Sequence, residues 1–181
     1  MGKLVKALVE DYLVVTALNS KDIVETARKI HKTSAVATAA LGRTLTMCAI
    51  MGKNMKNASD YLTVEIKGGG ELGKITVCSD SLGNVKGYVD NPNAETHIKE
   101  DNHIDVARSV GKDGSITVIK NLGLKEPYLG TCRLVSGEIG EDFAQYFAVS
   151  EQQPCAIALG VLVEKGVCAS AGGIVVEVLP N

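Results

Sequence analysis

The stretch AVATAALGRTLTMCAIMGKNM, residues 35–55, decides how this chain folds. Ala, Leu, Met, Ile and Cys lie on every side of it. Thr38, Thr44 and Thr46 are the main polar interruptions, and Arg43 is the only charge before Lys53. A helix that is apolar nearly all round belongs inside a core rather than on a surface. The segments flanking it must therefore supply surfaces that cover it on more than one side.

Those flanks read as follows. Upstream, residues 4–9 and 12–17 are short apolar runs joined at Glu10-Asp11, which predicts a hairpin. Asn19 or Ser20 then caps a helix whose apolar face is Ile23, Ala27 and Ile30, with basic residues at its C-terminal end as the macrodipole prefers. Downstream, the period changes to two. Leu62, Val64 and Ile66 share one face and Thr63, Glu65 and Lys67 the other.

Gly68-Gly69-Gly70 ends that strand. Residues 72–79 and 85–89 continue an antiparallel meander, and Asn91-Pro92-Asn93 breaks it. A polar loop follows to Asn102. Residues 104–110 form a short helical turn, residues 115–120 and 128–135 are strands, and Phe143, Ala144, Phe147 and Ala148 give a helical stripe that Pro154 stops. Residues 155–163, 167–170 and 174–179 are read as three closing strands, the last a buried one framed by Gly172-Gly173 and Pro180. The fold class is α+β, with antiparallel or mixed sheets packed around one central apolar helix and further short helices.

Composition narrows the function. With 181 residues, one domain is expected. No apolar run nears the roughly 20 residues of a spanning helix, so no membrane is expected. The N-terminus lacks a secretory h-region and cleavage site, which implies a cytoplasmic chain. Nineteen basic against 21 acidic residues offer no general attraction for phosphate backbones, which argues against nucleic acid. Cys48, Cys78, Cys132, Cys155 and Cys168 stand singly with no CxC, CxxC or CxxH, so they are not a metal framework. Reduced thiols acting as small hydrophobes are expected.

Candidate chemistry is thin. Glu138, Glu141 and Asp142 resemble an acid/base set, yet acids at a helix start are explained by the helix dipole. Gly68-Gly69-Gly70 lacks P-loop spacing and leads into a strand. His97 and His103 share a polar loop without a third metal ligand. His31 and Cys48 would need three-dimensional proximity to act as a nucleophile pair. No catalytic, cofactor or metal residue is assigned, and the chain is expected not to be an enzyme.

Four stretches together carry a resemblance: ATAALGRTLT (37–46); GKITVCSDSLGNVKGYVDNP (73–92); ITVIKNLGLKEPYLGTCRLVSGEIGEDFAQYFAVSEQQP (116–154); and ALGVLVE (158–164) with AGGIVVEVLP (171–180). From Leu4 to Pro180 the chain resembles the N-terminal, substrate-binding domain of the bacterial 33 kDa chaperonin family, the redox-regulated heat-shock holdase. The resemblance implies an ATP-independent chaperone that binds unfolding or oxidatively damaged polypeptides and forms a homodimer. It also implies, in the complete protein, a linker and a C-terminal module whose CxC and CxxC cysteines hold zinc. Disulfide formation there expels the metal and switches the chaperone on. Neither motif occurs here, so the chain reads as a fragment ending after the first domain, with no redox or zinc role for its five cysteines. EDYLVVTALNS (10–20) lacks the Gly-containing turn and Arg frequent in that family. Three other readings remain open: a thiol redox protein using Cys48 or Cys78, a small α+β enzyme, and an interaction module that only oligomerises. No residue is singled out as contacting clients.

Overall fold

In a computed structural model describing residues 2–179, the chain forms strands β1 (Lys3–Val9) and β2 (Leu13–Asn19), helices α1 (Lys21–His31) and α2 (Ala35–Lys53), strands β3 (Tyr61–Lys67), β4 (Lys74–Asp80) and β5 (Val85–Val89), helix α3 (Val106–Val110), strands β6 (Ser115–Asn121) and β7 (Tyr128–Arg133), helix α4 (Gly140–Ser150), and strands β8 (Cys155–Glu164) and β9 (Val167–Val178). They make a four-stranded sheet in the order β1-β2-β9-β8 and a five-stranded sheet in the order β5-β4-β3-β6-β7. All seven strand pairings are antiparallel, so no mixed sheet forms among the described residues.

Helix α2 lies between the sheets, against β4 and β5 on one side and β8 and β9 on the other. It is buried from Val36 to Gly52 except at Arg43. Burying hydroxyls without partners would be costly. Thr38, Thr44 and Thr46 avoid this by donating to the carbonyls of Ser34, Ala40 and Gly42, one turn back, at 2.7, 2.8 and 2.7 Å. The alternation expected of β3 holds, with Leu62, Val64 and Ile66 fully buried against the helix.

Several local expectations need correction. Residues 167–178 form one strand rather than two, because Gly172 and Gly173 pair with both β2 and β8, Ala171 pairs with β8, and none of them leaves the sheet. That strand is buried on one face only: Val175 is 1% exposed, whereas Ile174 and Val178 are 48% and 53% exposed. Pro180, which framed the last run, lies outside the described residues. In α1, Ser20 does not cap with its side chain. It is buried and hydrogen-bonds Thr46 at 2.6 Å, while Asn19 Oδ1 accepts from the Lys21 N–H. The apolar side of α1 centres on Val24, and Ile30 stands 68% exposed past its edge. In α4, Tyr146 joins Phe143 in the core while Ala148 faces out. The first hairpin turns without glycine because Glu10 and Asp11 both take positive φ, at 47° and 61°.

Gly68-Gly69-Gly70 is more than a turn. Gly70 N–H donates to Val110 and Leu72 N–H to Ser109, and a Cβ on Gly68 or Gly70 would sit 2.3 Å from a carbonyl oxygen of that segment. Only glycine lets the two backbones meet.

Two carboxylates tie backbone segments down, Asp142 the loop just before it and Glu25 a distant strand. Asp142 is fully buried. Its Oδ1 accepts from the N–H groups of Val135, Ser136 and Gly137 at 2.8–3.3 Å, and its Oδ2 from Ile139 at 3.0 Å. It thereby also holds Ile139 at φ 76°, a strained value for a β-branched residue. Glu25 on α1 accepts from Arg28 and from the Cys168 N–H on β9, each at 2.8 Å. The Arg28 hydrogen bonds, then the Cys168 N–H, hold its carboxyl down to about 2.

Replacing Asp142 with Ala strands several buried donors and should cost about 3 kcal/mol or more in denaturant unfolding followed by circular dichroism, whereas Glu141→Ala, on the exposed side, should cost under about 0.5 kcal/mol. For Glu25, the folded value near 2 lies below the unfolded value of about 4.3. Its contribution is thus complete above the unfolded value and lost as pH falls towards 2. The difference in denaturation midpoint between the parent and Glu25→Gln should therefore be constant from pH 7 to 5 and shrink from pH 4 to 2.

Candidate functional site

The residues weighed for chemistry do not assemble into a catalytic centre. Asp142 is consumed by backbone donors and Glu141 is exposed. Glu138 accepts from Arg43 Nη1 at 2.8 Å and also pairs with Lys99. Burial pulls its pKa up, but the Lys99 and Arg43 hydrogen bonds outweigh burial and hold the carboxyl below its ordinary range. The arrangement is an ion-pair clasp that brings the one charge in the buried middle of the helix to the loops around it. His97 Nε2 sits 3.2 Å from Glu71, and His103 Nδ1 sits 3.2 Å from Asp101. Each histidine is paired within its own surroundings.

The thiols are equally dispersed. Cys48 is fully buried, and burial, then the charge of Cys78, pushes its pKa well above the ordinary thiol range. Burial, with Glu177 second, raises Cys155 to about 11; burial also raises Cys132 and Cys168, with Asp142 and Glu25 as the respective second causes. A nucleophilic cysteine needs its pKa lowered. Cys78 is half-buried and lies 3.3 Å from the Thr63 hydroxyl. The five cysteines are free, and among the described residues no three His, Cys, Asp or Glu side chains converge as metal ligands. These residues do not fit zinc, and no step is routed through it.

What the fold does present is a surface. Register places Val5, Ala17, Ile174 and Ala158 in one row across all four strands of the β1-β2-β9-β8 sheet, on the side away from α2. The next row is Ala7, Val15, Val176 and Ala156, and a third joins Val9, Leu13 and Val178. No polar or charged side chain interrupts the three rows. Val5 is 54% exposed, and Val9, Ile174 and Val178 are exposed with it. A further row, Lys3, Asn19, Gly172 and Gly160, bounds the patch, and its two glycines leave a shallow depression where a Cβ on Gly160 would meet nothing within 4 Å.

The opposite face of the same sheet is where burial lies, with Val14, Thr16, Leu18 and Val175 turned towards α2. The five-stranded sheet differs. Its outer face carries Thr63, Glu65, Lys74, Thr76 and Thr117, with a Lys74–Glu65 ion pair at 3.0 Å, and these polar groups interrupt its exposed apolar members Tyr61, Tyr88 and Leu129. The sequence held a signal for the difference. β1, β2, β8 and β9 are nearly continuous apolar runs, the pattern of strands covered on both faces, while β3 and β6 alternate.

Helix α2 is the one described helix long and apolar enough to cross a membrane, and 89% of that window is buried within the fold. It is accounted for as the core.

Comparison with known proteins places this geometry. Residues 2–181 match the family described as Hsp33 protein. The 33 kDa chaperonin of Clostridioides difficile is 56% identical over 162 residues, covering 90% of this chain and 56% of that protein. The 33 kDa chaperonin of Alkaliphilus metalliredigens is 55% identical over 164 residues, with the same shares of each chain. The crystal structure of the 33 kDa chaperonin (heat shock protein 33 homolog) of Thermotoga maritima superposes with a TM-score of 0.90 at 37% identity, covering 96% of this chain and 59% of that one. The chain thus spans a little over half the length of the curated relatives it matches. A match along essentially its whole length, joined to the same two-sheet fold around a buried helix, means that this chain belongs to the Hsp33 family.

Proposed function

We propose that these 181 residues are a client-binding domain of an ATP-independent holdase, and that the outer face of the β1-β2-β9-β8 sheet grips unfolding polypeptides. The observation that carries this reading is the contiguous, charge-free apolar face described above. Monomeric proteins rarely leave such a face open unless it meets something. A flat aliphatic surface without directional polar groups discriminates little among apolar segments, which suits a protein that must bind many unfolded chains. Its strands are locked from behind by α2, so exposure does not require the sheet to move.

The reading is one of binding rather than catalysis. It places the protein in the cytoplasm, where five free thiols are at home. It includes a homodimer, and involves neither nucleic acid nor membrane. Redox switching and zinc, in the whole family architecture, attach to CxC and CxxC motifs that this chain does not contain. Its own five thiols stand apart from one another and take no part.

In light-scattering assays with a heat-denatured client, the chain should suppress aggregation equally with and without peroxide. The double variant Val5→Lys/Ile174→Lys should need at least about tenfold more protein for the same protection, with stability within about 0.5 kcal/mol of the parent. Thr76→Lys, on the outer face of the other sheet, should protect as well as the parent. Unchanged protection by the double variant overturns the assignment of the face.

Thiol labelling discriminates the redox alternative. At neutral pH about one Cys155 thiol in 10⁴ is ionised, given its value of about 11. Its labelling rate should therefore rise about tenfold per pH unit up to pH 10, and Cys48 should label only on unfolding. A fast-labelling Cys48 at pH 7 would restore the thiol reading.

A further inference from the structure

The three methionines among the described residues line one cavity. Met47 and Met51 are one turn apart on α2 and Met55 lies just past its end. With Phe147 and Leu122 they wall a cavity of about 410 Å³ at the open end between the two sheets. That volume falls within the range of pockets that hold small ligands. Methionine is unbranched, polarizable and able to follow the shape of whatever it packs against, which suits a site that accepts varied apolar groups.

The rim excludes polar ligands. Lys56 and Lys120 stand at it with Asp60, Glu151 and Glu177, so neither sign of charge is favoured. Apart from Lys56, its polar groups are also spent on one another or on the surrounding protein. Lys120 pairs with Glu151, which also accepts from Tyr146. Asn57 donates to Asp60 at 3.1 Å, Gln153 to Glu177 at 3.4 Å, and Lys6 to Asn54 at 3.0 Å. A polar or charged guest would lose its hydration and gain no partner.

We infer that this cavity is a second binding site, which takes an uncharged aromatic or large aliphatic side chain projecting from an unfolded polypeptide. The inference rests on the client-binding reading for its choice of guest, but it uses a different surface. The sheet face holds a segment by area. The cavity holds one side chain by insertion, and its methionines repack around rings and branched chains alike.

The test uses the 181-residue chain labelled at the methionine methyls with ¹³C, with resonances assigned by Met→Leu variants. It is titrated with the capped peptide Gly-Ser-Phe-Ser-Gly and with the same peptide carrying Ala for Phe. Saturable shifts of the Met51 and Met55 methyls are expected with the Phe peptide and not with the Ala peptide. Met55→Lys should weaken the Phe peptide at least about fivefold, which is about 1 kcal/mol. The Val5→Lys/Ile174→Lys variant should keep the shifts. Methyls that stay still, that move equally with both peptides, or that stop responding in the sheet-face variant would each overturn the inference. A chain that fails to suppress aggregation yet shows the Phe-specific shifts would sink the sheet-face reading and leave this site standing.

Discussion

The requirement that α2 be buried on every side organises the molecule. A helix with one apolar stripe is satisfied by a single partner surface, whereas Val36, Leu41, Leu45 and Ile50 together leave no side of α2 suited to water. Two sheets, one on each flank, answer that requirement. Its polar residues conform to it: the three threonine hydroxyls turn back onto the helix's own carbonyls, and Arg43 reaches out to Glu138. Leaving that guanidinium unpaired would cost more than the pair contributes, because a buried charge without a partner is heavily penalised.

The same requirement produces the exposed face. A sheet has two faces, and α2 occupies one face of each. On the five-stranded sheet the other face is built for water, with Thr, Glu and Lys at the outward positions of β3 and β4. On the four-stranded sheet the outward positions between Leu13 and Ala17 and between Ile174 and Val178 are Val, Ala, Leu and Ile. Hydrophobic burial stabilises the inner faces of both sheets, so the outer residues of β1, β2, β8 and β9 are not needed to hold the fold. That separation leaves the outer face of the four-stranded sheet without a duty in holding the core.

Much of this was legible in the sequence because it rested on periodicity. The apolar 35–55 segment, the alternation of 61–67, the meander to Val89 and the helix carrying Phe143 and Phe147 all took the places their patterns indicated. The errors share a cause, which is that local signals were overruled by tertiary partners. Gly172 and Gly173 read as a strand break, yet pairing on both sides kept them in β9. Ser20 read as a cap, yet Thr46 claimed its hydroxyl. Asp142 was read only as a dipole acid. That it gathers four backbone donors depends on a loop conformation no spacing rule encodes. The candidate face was missed for a different reason. An apolar run shows that both faces of a strand avoid water, but not which of them the fold itself covers.

An open apolar face also invites copies of its own chain, and the sheet edges differ in how they meet that hazard. Along β1, Lys3 and Lys6 interrupt the edge, as charged residues on edge strands commonly do. Along β8, Cys155 to Val163 carries no charge and no proline, and Glu164 arrives only at its end. The two ends of one apolar face are thus unequally protected against strand addition. The Gly160–Gly172 row at its margin adds a place where a neighbouring backbone can approach closely. Face and edge together offer an extended segment both area and unpaired backbone groups, and neither feature requires a bound nucleotide or a conformational cycle to become available.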